Sequence, residues 1–409
     1  MLESDGFITP TVLEQRRVEE IVVKQKREWT QTHGVHLQHK SHVDYILACL
    51  EGLPKSYSAG VGFATGAFTV HFYESCFLNF LLQLFDCSAT NLGRLCKTGD
   101  PTGKVTEDGG YGGGPGQIAH LATTYASVMS LITIGTDEAL SSINRKTLNC
   151  FIHSMRQPNG SFTIHKGGES DVRAVYCALS VANICGLPIH DQLFEETASW
   201  LTRCQTYEGG FGGEPNCEAH SGYTFCGLAG LALLRKLHLV NIDAALKWLV
   251  NRQMTFEGGF QGRANKLVDG CYSYWNAACF SALECFDPGQ TKPFRKLFDT
   301  MALQSYVLEA CQAPSGETQT STTLATLSRD FPLLSFIPQQ RTMNLCTQST
   351  TFTSMLMPGR CDISNHNKSQ KFCDWKTDKT KDRIKSLEES GGGLGSGGGA
   401  GRVGYTMSR

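Results

Sequence analysis

The amino-acid sequence predicts an all-α protein built from repeated pairs of helices, and two features of the chain predict this fold class. A glycine-rich turn that ends in an aromatic residue recurs through the middle of the chain. These aromatic residues follow one another at intervals of 51, 49 and 49 residues: Tyr111, Phe162, Phe211 and Phe260. The segments between the turns, such as HLATTYASVMSLITIG, carry apolar residues at helical spacing. A steady period of about 50 residues is typical of repeat architectures.

Each repeat is predicted to run as a glycine turn, a helix, a short link and a second helix. The turns are DGGYGGGPGQ (108–117), QPNGSF (157–162), QTYEGGFGGEP (205–215) and QMTFEGGFQGR (253–263). A fifth copy begins at CQAPSGE (311–317), but no aromatic residue follows its glycine. Two-helix units must stack to bury their apolar faces, so the pattern fits either an open solenoid or a closed α/α barrel.

The composition divides the chain into three parts. Residues 1–104 are predicted to be an N-terminal helical extension, partly divergent, with an apolar helix at 70–85. Residues 105–312 contain the repeats. Residues 313–409 are an atypical, low-complexity tail, rich in Ser, Thr and Gln over 313–358 and ending in the glycine-rich stretch SGGGLGSGGGAGR. We expect this tail to be poorly ordered.

Charge, hydropathy and cysteine usage exclude several classes of protein. The formal net charge of −1 argues against binding to nucleic acid or to an anionic membrane surface. The chain has no run of 18 apolar residues and its N-terminus does not resemble a signal peptide, so we expect no membrane insertion. Its 17 cysteines are dispersed, which favours free thiols in a reducing cytoplasm over a disulfide scaffold.

The stretch KLVDGCYSYW places a carboxylate and a thiol two residues apart. Asp269 and Cys271 are therefore candidate zinc ligands. Arg263 and Lys266 precede them at a spacing of three residues, and Tyr272 follows. The two basic side chains are expected to share a helical face. The alternative interpretation of this cluster is a solvated basic helix end.

Two further clusters carry polar and aromatic side chains at helical spacing. His220, Tyr223 and Cys226 are spaced by three and are expected on one helical face. Arg173 and Tyr176 have the same spacing. Tyr176 is equally compatible with core packing between neighbouring helices. Asp171 is expected to cap the helix that follows it.

The repeated glycine–aromatic turns and the stretch V-D-G-C-Y-S-Y-W together resemble the β subunits of protein prenyltransferases. The resemblance covers residues 105–312, with weaker similarity over 10–57. It implies a closed α/α toroid that transfers an isoprenoid from its diphosphate to a protein cysteine. Gly270 and the stretch FEGGFQGRANKLVDGCYS favour the farnesyl-transferring type, whose substrates end in a C-a-a-X sequence.

The resemblance also implies roles for individual residues. Asp269 and Cys271 would bind zinc and, with Tyr272, form the catalytic group. His220, Arg263, Lys266 and Tyr272 would bind the diphosphate. The remaining substrate-binding residues, several of which would line the isoprenoid cavity, are Arg173, Tyr176, Tyr223, Cys226 and Trp275. The implied partners are a separate α subunit in a heterodimer, farnesyl diphosphate and CaaX proteins; zinc, and magnesium in addition, are the implied cofactors.

Three other functions remain alternatives to a farnesyl-transferring subunit. A geranylgeranyltransferase β subunit would differ in the depth of its isoprenoid cavity. A terpene cyclase is disfavoured, because the chain has no D-x-D-D motif and its repeats end in Phe or Tyr rather than Trp. A helical repeat scaffold or catalytically dead subunit is the non-enzyme alternative.

The histidine that completes the family's zinc site is missing from the sequence. The family carries it in a segment resembling Tyr-His-Thr-Cys-Tyr, whereas the corresponding segment here reads STTLATLSRDFP (321–332), and His366 lies in an unrelated polar stretch. One coding of the family segment, TAC CAC ACT TGC TAC, read one base later gives Thr-Thr-Leu-Ala-Thr, the sequence at 322–326. We therefore hypothesise a shifted reading frame from about residue 313 onward. An unshifted genomic frame without a histidine codon at position 323 would refute it.

Overall fold

The computed structural model describes residues 8–34, 36–38, 40–42, 44, 108–112, 117–134, 137–188, 192–286 and 297–312. The helix predicted at 70–85 and the tail predicted at 313–409 lie outside these ranges. The α-helices of the described ranges are α1 (Pro10–His33), α2 (Leu121–Ile134), α3 (Asp137–Ser141), α4 (Arg145–Met155), α5 (Val172–Ile184), α6 (Gln192–Arg203), α7 (Ser221–Leu233), α8 (Ile242–Val250), α9 (Gly270–Phe286) and α10 (Thr300–Ala310). Between them lie one short 3-10 helix and isolated antiparallel bridges. No helix in these ranges is long and apolar enough to cross a membrane.

The helices form an inner and an outer layer. The inner helices pack side by side in the order α2, α5, α7, α9, and they form the hydrophobic core. Within α7, every side chain from Thr224 to Leu233 is buried. Helices α4, α6 and α8 each pack on the inner helix of the following repeat. The predicted order of glycine turn, helix, link and helix is therefore confirmed across the described repeats.

The aromatic residues that define the repeat fix each turn to the core. Tyr111, Phe162, Phe211 and Phe260 are all at most 2% exposed. The backbone N–H of Phe211 donates to the hydroxyl of Thr224 on α7 at 2.9 Å, and that of Tyr111 donates to Thr124 on α2 at 3.0 Å. These two turns are thus bound to their own inner helices by a buried ring and by a backbone hydrogen bond.

Glycine is required where the turn approaches the outer helix. Gly209 has a φ of 105°, and a Cβ atom there would lie 2.1 Å from the carbonyl oxygen of Ala244 on α8. A side chain at this position would therefore be strained and would also collide with backbone.

A glutamine at the start of each of two turns joins that turn to the next outer helix. The Gln205 amide donates to the carbonyl of Asn241 at 3.0 Å and accepts the Asn241 N–H at 3.0 Å. Gln253 makes the same pair of bonds to Asp299, at 2.8 Å each. Because Asn241 and Asp299 cap α8 and α10, these amides fix where the outer helices begin.

The inner helices begin on one rim of the molecule, and the rim is held by a repeated hydrogen bond. The first residue of each of three inner helices donates its N–H to the turn of the following repeat. These bonds run from Leu121 to Ile164 O (2.7 Å), from Val172 to Gly213 O (2.9 Å) and from Ser221 to Gly262 O (2.8 Å). The residue before each inner helix accepts a backbone N–H with its side chain, and these residues are His120, Asp171, His220 and Asp269. The expected cap at Asp171 is confirmed.

The N-terminal helix α1 packs on α10, the last described helix. Gln15 donates to the fully buried carboxylate of Glu257 at 2.6 Å, and Lys26 donates to Ser305 on α10 at 3.1 Å. The side-chain oxygen of Gln312 accepts from the backbone N–H of Gln38 at 2.8 Å. The N-terminal segment is therefore joined to the repeat farthest from it in sequence.

We predict that Gly209→Ala destabilises the protein far more than Gly167→Ala. Both glycines have positive φ, but a Cβ at Gly167 would meet nothing within 4 Å. The Gly167 variant should lose about 1 kcal/mol through backbone strain. The Gly209 variant should lose about 3 kcal/mol or more, because strain and overpacking add. Urea unfolding of the full chain measures both, and equal losses would contradict the role assigned to the close approach of turn and helix.

Candidate active site

A pocket of about 580 Å³ opens on the rim between the starts of α7 and α9. Its lining residues are Cys217, Glu218, His220, Tyr223, Gly262, Arg263, Lys266, Leu267, Val268, Asp269 and Tyr272. Six of the sequence-predicted site residues are among them. The other five, Arg173, Tyr176, Cys226, Cys271 and Trp275, are not.

His220 and Tyr272 form a hydrogen-bonded pair in the pocket. His220 is the N-cap of α7, and its Nδ1 accepts the N–H of Gly222 at 3.1 Å. A neutral imidazole that accepts at Nδ1 carries its proton on Nε2. Nε2–H therefore donates to the hydroxyl oxygen of Tyr272, 3.2 Å away. This bond leaves the Tyr272 O–H proton available to donate to a ligand.

Burial keeps both members of this pair neutral. Desolvation lowers the pKa of His220, and the nearby Arg263 charge lowers it further. Desolvation raises the pKa of Tyr272, and the neighbouring Cys271 raises it further. At neutral pH the pair is a fixed chain of donors rather than a charged group.

The ring of Tyr272 packs closely against the backbone of Gly262. A Cβ atom at Gly262 would lie 2.1 Å from Cζ of Tyr272, so a side chain at this position would displace the ring. The carbonyl of the same Gly262 accepts the N–H of Ser221. One residue thus positions the start of α7 and the hydroxyl of Tyr272 together.

Two expectations about helical faces are wrong. His220 lies before α7, not on it, because its imidazole caps the helix; its ring nevertheless lies 5.3 Å from that of Tyr223. Arg263 and Lys266 lie in a turn between Gly262 and α9, in which Asn265 has a φ of 57°. Both basic side chains nevertheless line the pocket.

The guanidinium of Arg263 makes an ion pair at the pocket. Its Nη1 donates to Oε2 of Glu218, which lies in the loop before α7. Both side chains remain about half exposed. Sequence reasoning missed Glu218, since nothing in the spacing indicates that two loops 45 residues apart meet here.

Asp269 and Cys271 lie together at the start of α9. Oδ1 of Asp269 accepts the N–H of Cys271 at 2.8 Å, and the carboxylate also lies within hydrogen-bonding reach of the thiol. Burial raises the pKa of both groups, and the neighbouring carboxylate raises that of Cys271 further. A cation between the two would remove this penalty, because it favours both deprotonated forms.

The two side chains fit part of a zinc site. Carboxylate oxygen and thiolate sulfur are ligands that zinc prefers, and a protein site uses three or four of them. Among the described residues no group of three or more His, Cys, Asp or Glu side chains is arranged to hold a metal ion. The third ligand that the sequence lacks is therefore not replaced by another side chain of the described part.

Arg173 lies one repeat away on the same rim. Its guanidinium is paired with Asp171, which raises the pKa of Arg173, and it stands 5.6 Å from the centre of the Tyr223 ring. Its charge is therefore directed toward the edge of the pocket.

The inner helices carry an aromatic cluster below the rim. The ring of Phe225 lies 5.2 Å from that of Tyr176, 5.5 Å from that of Trp275 and 6.1 Å from that of Tyr274. Tyr125 continues the cluster, 5.7 Å from Tyr176. Tyr176 and Cys226 are both buried. The cluster packs large aromatic side chains against one another inside the layer of inner helices.

Sequence reasoning missed three members of this cluster, although the signal was present. Tyr125, Tyr176, Phe225 and Tyr274 follow one another at intervals of 51, 49 and 49 residues, the same as the turn aromatics. Extending the repeat from the turns to the helices would have identified them.

The sequence of this helical architecture matches the model of a known protein family. The sequence model described as "Prenyltransferase alpha-alpha toroid domain" matches residues 37–322, which is more than half of the chain. The chain belongs to this family. The predicted toroid and the resemblance to prenyltransferases are confirmed.

Individual relatives agree with the family. The chain is 54% identical over 171 residues to a protein farnesyltransferase subunit beta of Arabidopsis thaliana, a match of 42% of this chain and 35% of that protein. It is 35% identical over 211 residues to the geranylgeranyl transferase type-1 subunit beta of the same plant, covering 48% of this chain and 52% of the relative. The first curated relatives are matched over 35% to 55% of their length.

A solved structure shares the fold. Candida albicans protein geranylgeranyltransferase-I complexed with GGPP aligns with a TM-score of 0.60 and 20% sequence identity. The alignment covers 80% of this chain and 96% of the other.

We predict that His220→Asn keeps the N-terminal cap of α7 but removes the hydrogen bond to Tyr272. Asparagine caps helices well, so the free energy of unfolding should change by less than about 1 kcal/mol. The amide is too short to replace Nε2, so the affinity for inorganic pyrophosphate should fall about tenfold.

The matched control is His120→Asn. His120 caps α2 in the same way, accepting from Ala122 at 3.1 Å, but it does not line the pocket. Calorimetric titration of both variants decides the matter: an equal loss of affinity in both would assign the effect to capping alone.

Proposed function

We propose that the chain is the β subunit of a protein farnesyltransferase. It would transfer the farnesyl group of farnesyl diphosphate to the cysteine thiol of a C-terminal CaaX sequence. A carbon–sulfur bond forms, the carbon–oxygen bond to the diphosphate breaks, and the thiol proton is released. The observation that carries the proposal is a pocket in which the donors Tyr272, Arg263 and Lys266 line the same space as Asp269, one member of the Asp269–Cys271 pair.

The donors of the pocket suit a diphosphate leaving group. Negative charge grows on the diphosphate as its bond to carbon breaks, and donors fixed in advance stabilise that charge without reorganising. Tyr272 offers its O–H because His220 occupies its oxygen. Arg263 and Lys266 supply positive charge from the turn over the pocket.

Asp269 and Cys271 are the residues of this chain that would hold zinc. A bound zinc ion keeps a substrate thiol deprotonated at neutral pH, which makes it a nucleophile. The two ligands precede Tyr272, so the nucleophile and the leaving group would meet at the start of α9. Magnesium is proposed as a second cation at the diphosphate.

The aromatic cluster would receive the isoprenoid. Tyr176, Phe225 and Trp275 lie on the same inner helices whose first residues form the pocket. Aromatic surfaces of this kind bury an apolar chain and fix its direction.

We also propose a partner subunit and a cellular location for the enzyme. A separate α subunit is the proposed partner in a heterodimer. The cytoplasm is the proposed location, which the free thiols of nine cysteines in the described ranges support, since disulfides are rare in reducing compartments.

We predict that Tyr272→Phe slows transfer of farnesyl to a CaaX peptide about 100-fold, as expected for the loss of one fixed donor. The chain is assayed as the complex with its α subunit, in single-turnover reactions with farnesyl and with geranylgeranyl diphosphate. The control is Tyr207→Phe, a fully exposed turn tyrosine outside the pocket, which should leave the rate unchanged. A preference for the longer diphosphate would assign the chain to the geranylgeranyl-transferring type.

A non-catalytic subunit is the second candidate, because the described residues supply two zinc donors and not three. Zinc content of the purified complex separates the candidates. About one zinc ion per complex, lost in Cys271→Ser, supports the enzyme. Near-zero zinc together with absent transfer would show that this chain is a scaffold or a dead subunit.

A further inference from the structure

We propose that Glu218 weakens the binding of diphosphate in the pocket and thereby speeds its release. This inference rests on the proposed function, because it concerns the same pocket. It assigns a role to a carboxylate that stands at the pocket beside the residues that bind the anion.

The geometry places a negative charge against the anion's binding residues. Glu218 lines the pocket together with Arg263, Lys266 and His220. Its Oε2 accepts from Nη1 of Arg263. The side chain of Glu218 remains 49% exposed, so it is not buried for packing.

Arg263 need not release Glu218 in order to bind a phosphate. A guanidinium has five N–H donors, and the bond to Glu218 uses one of them, on Nη1. The remaining donors suit a phosphate oxygen. The arginine can therefore bridge the carboxylate and the diphosphate, which leaves the two anions close together in the bound state.

The balance of charges decides the sign of the effect. Glu218 orients Arg263, which favours binding, but exposed ion pairs contribute little. The carboxylate also repels a ligand that carries several negative charges, and this repulsion grows with the charge of the ligand. Repulsion therefore exceeds the benefit of orientation, and it is largest for the free diphosphate product. Glu218 would keep the product from occupying the pocket after transfer.

The test measures inorganic pyrophosphate binding to the full chain in complex with its α subunit. Glu218→Gln should tighten the dissociation constant about fivefold at low salt and slow the dissociation rate by a similar factor. Raising the salt concentration should shrink the difference, because screening weakens exposed charges.

Two further variants serve as controls. Glu196→Gln removes a carboxylate from an ion pair of the same kind, with Arg156, outside the pocket, and it should leave the affinity unchanged. Glu218→Asp keeps the charge and should remain within about twofold of the unaltered chain.

The possible results distinguish a failure of the role proposed for Glu218 from a failure of the proposed function. An unchanged or weaker affinity in Glu218→Gln, with pyrophosphate binding intact in the unaltered chain, overturns the role of Glu218 and leaves the proposed function standing. A tighter affinity that salt does not reduce also overturns it, because the effect would not be electrostatic. No binding of pyrophosphate to the unaltered chain would overturn both.

Discussion

The rim that carries the candidate site depends on one backbone hydrogen bond that recurs between neighbouring repeats. The first residue of an inner helix donates its N–H to the turn of the next repeat, as Ser221 does to Gly262 at 2.8 Å. This bond fixes both the level and the direction in which each inner helix begins. Because each of these three inner helices starts against the next turn, the residue before the helix lies close to the residues of that turn. The pocket between α7 and α9 is this space in one repeat.

Repetition of the bond explains why the site residues have regular spacing but different chemistry. His120, Asp171, His220 and Asp269 occupy equivalent positions, and each caps its helix through a side-chain acceptor. Capping requires only one acceptor atom, so the second polar atom of the side chain can form a hydrogen bond with another residue. His220 uses it to orient Tyr272, and Asp171 uses it to hold Arg173. His220 and Asp171 thus each combine a capping role with the positioning of a second side chain.

Much of this arrangement could be predicted from the sequence, and particular residues show where prediction failed. The period of about 50 residues predicted the turns and the helix pairs, and the capping preference of aspartate predicted the cap at Asp171. The resemblance indicated six of the residues that line the pocket. The same period would have identified Tyr125, Phe225 and Tyr274 had it been extended into the helices. Helical spacing misplaced Arg263 and Lys266, because the left-handed conformation of Asn265 turns the chain there. Contacts such as Glu218 with Arg263, or α1 with α10, join segments far apart in sequence and follow from tertiary packing, which spacing does not encode.

Diphosphate is proposed to bind at one rim, between His220 and the start of α9. A crystal structure of the full chain in its complex, with inorganic pyrophosphate bound, tests this claim most directly. We expect the anion within hydrogen-bonding distance of the Tyr272 hydroxyl and the Arg263 guanidinium, with Nε2 of His220 still bonded to Tyr272. An anion bound away from the start of α9, or His220 and Tyr272 on separate faces, would contradict it.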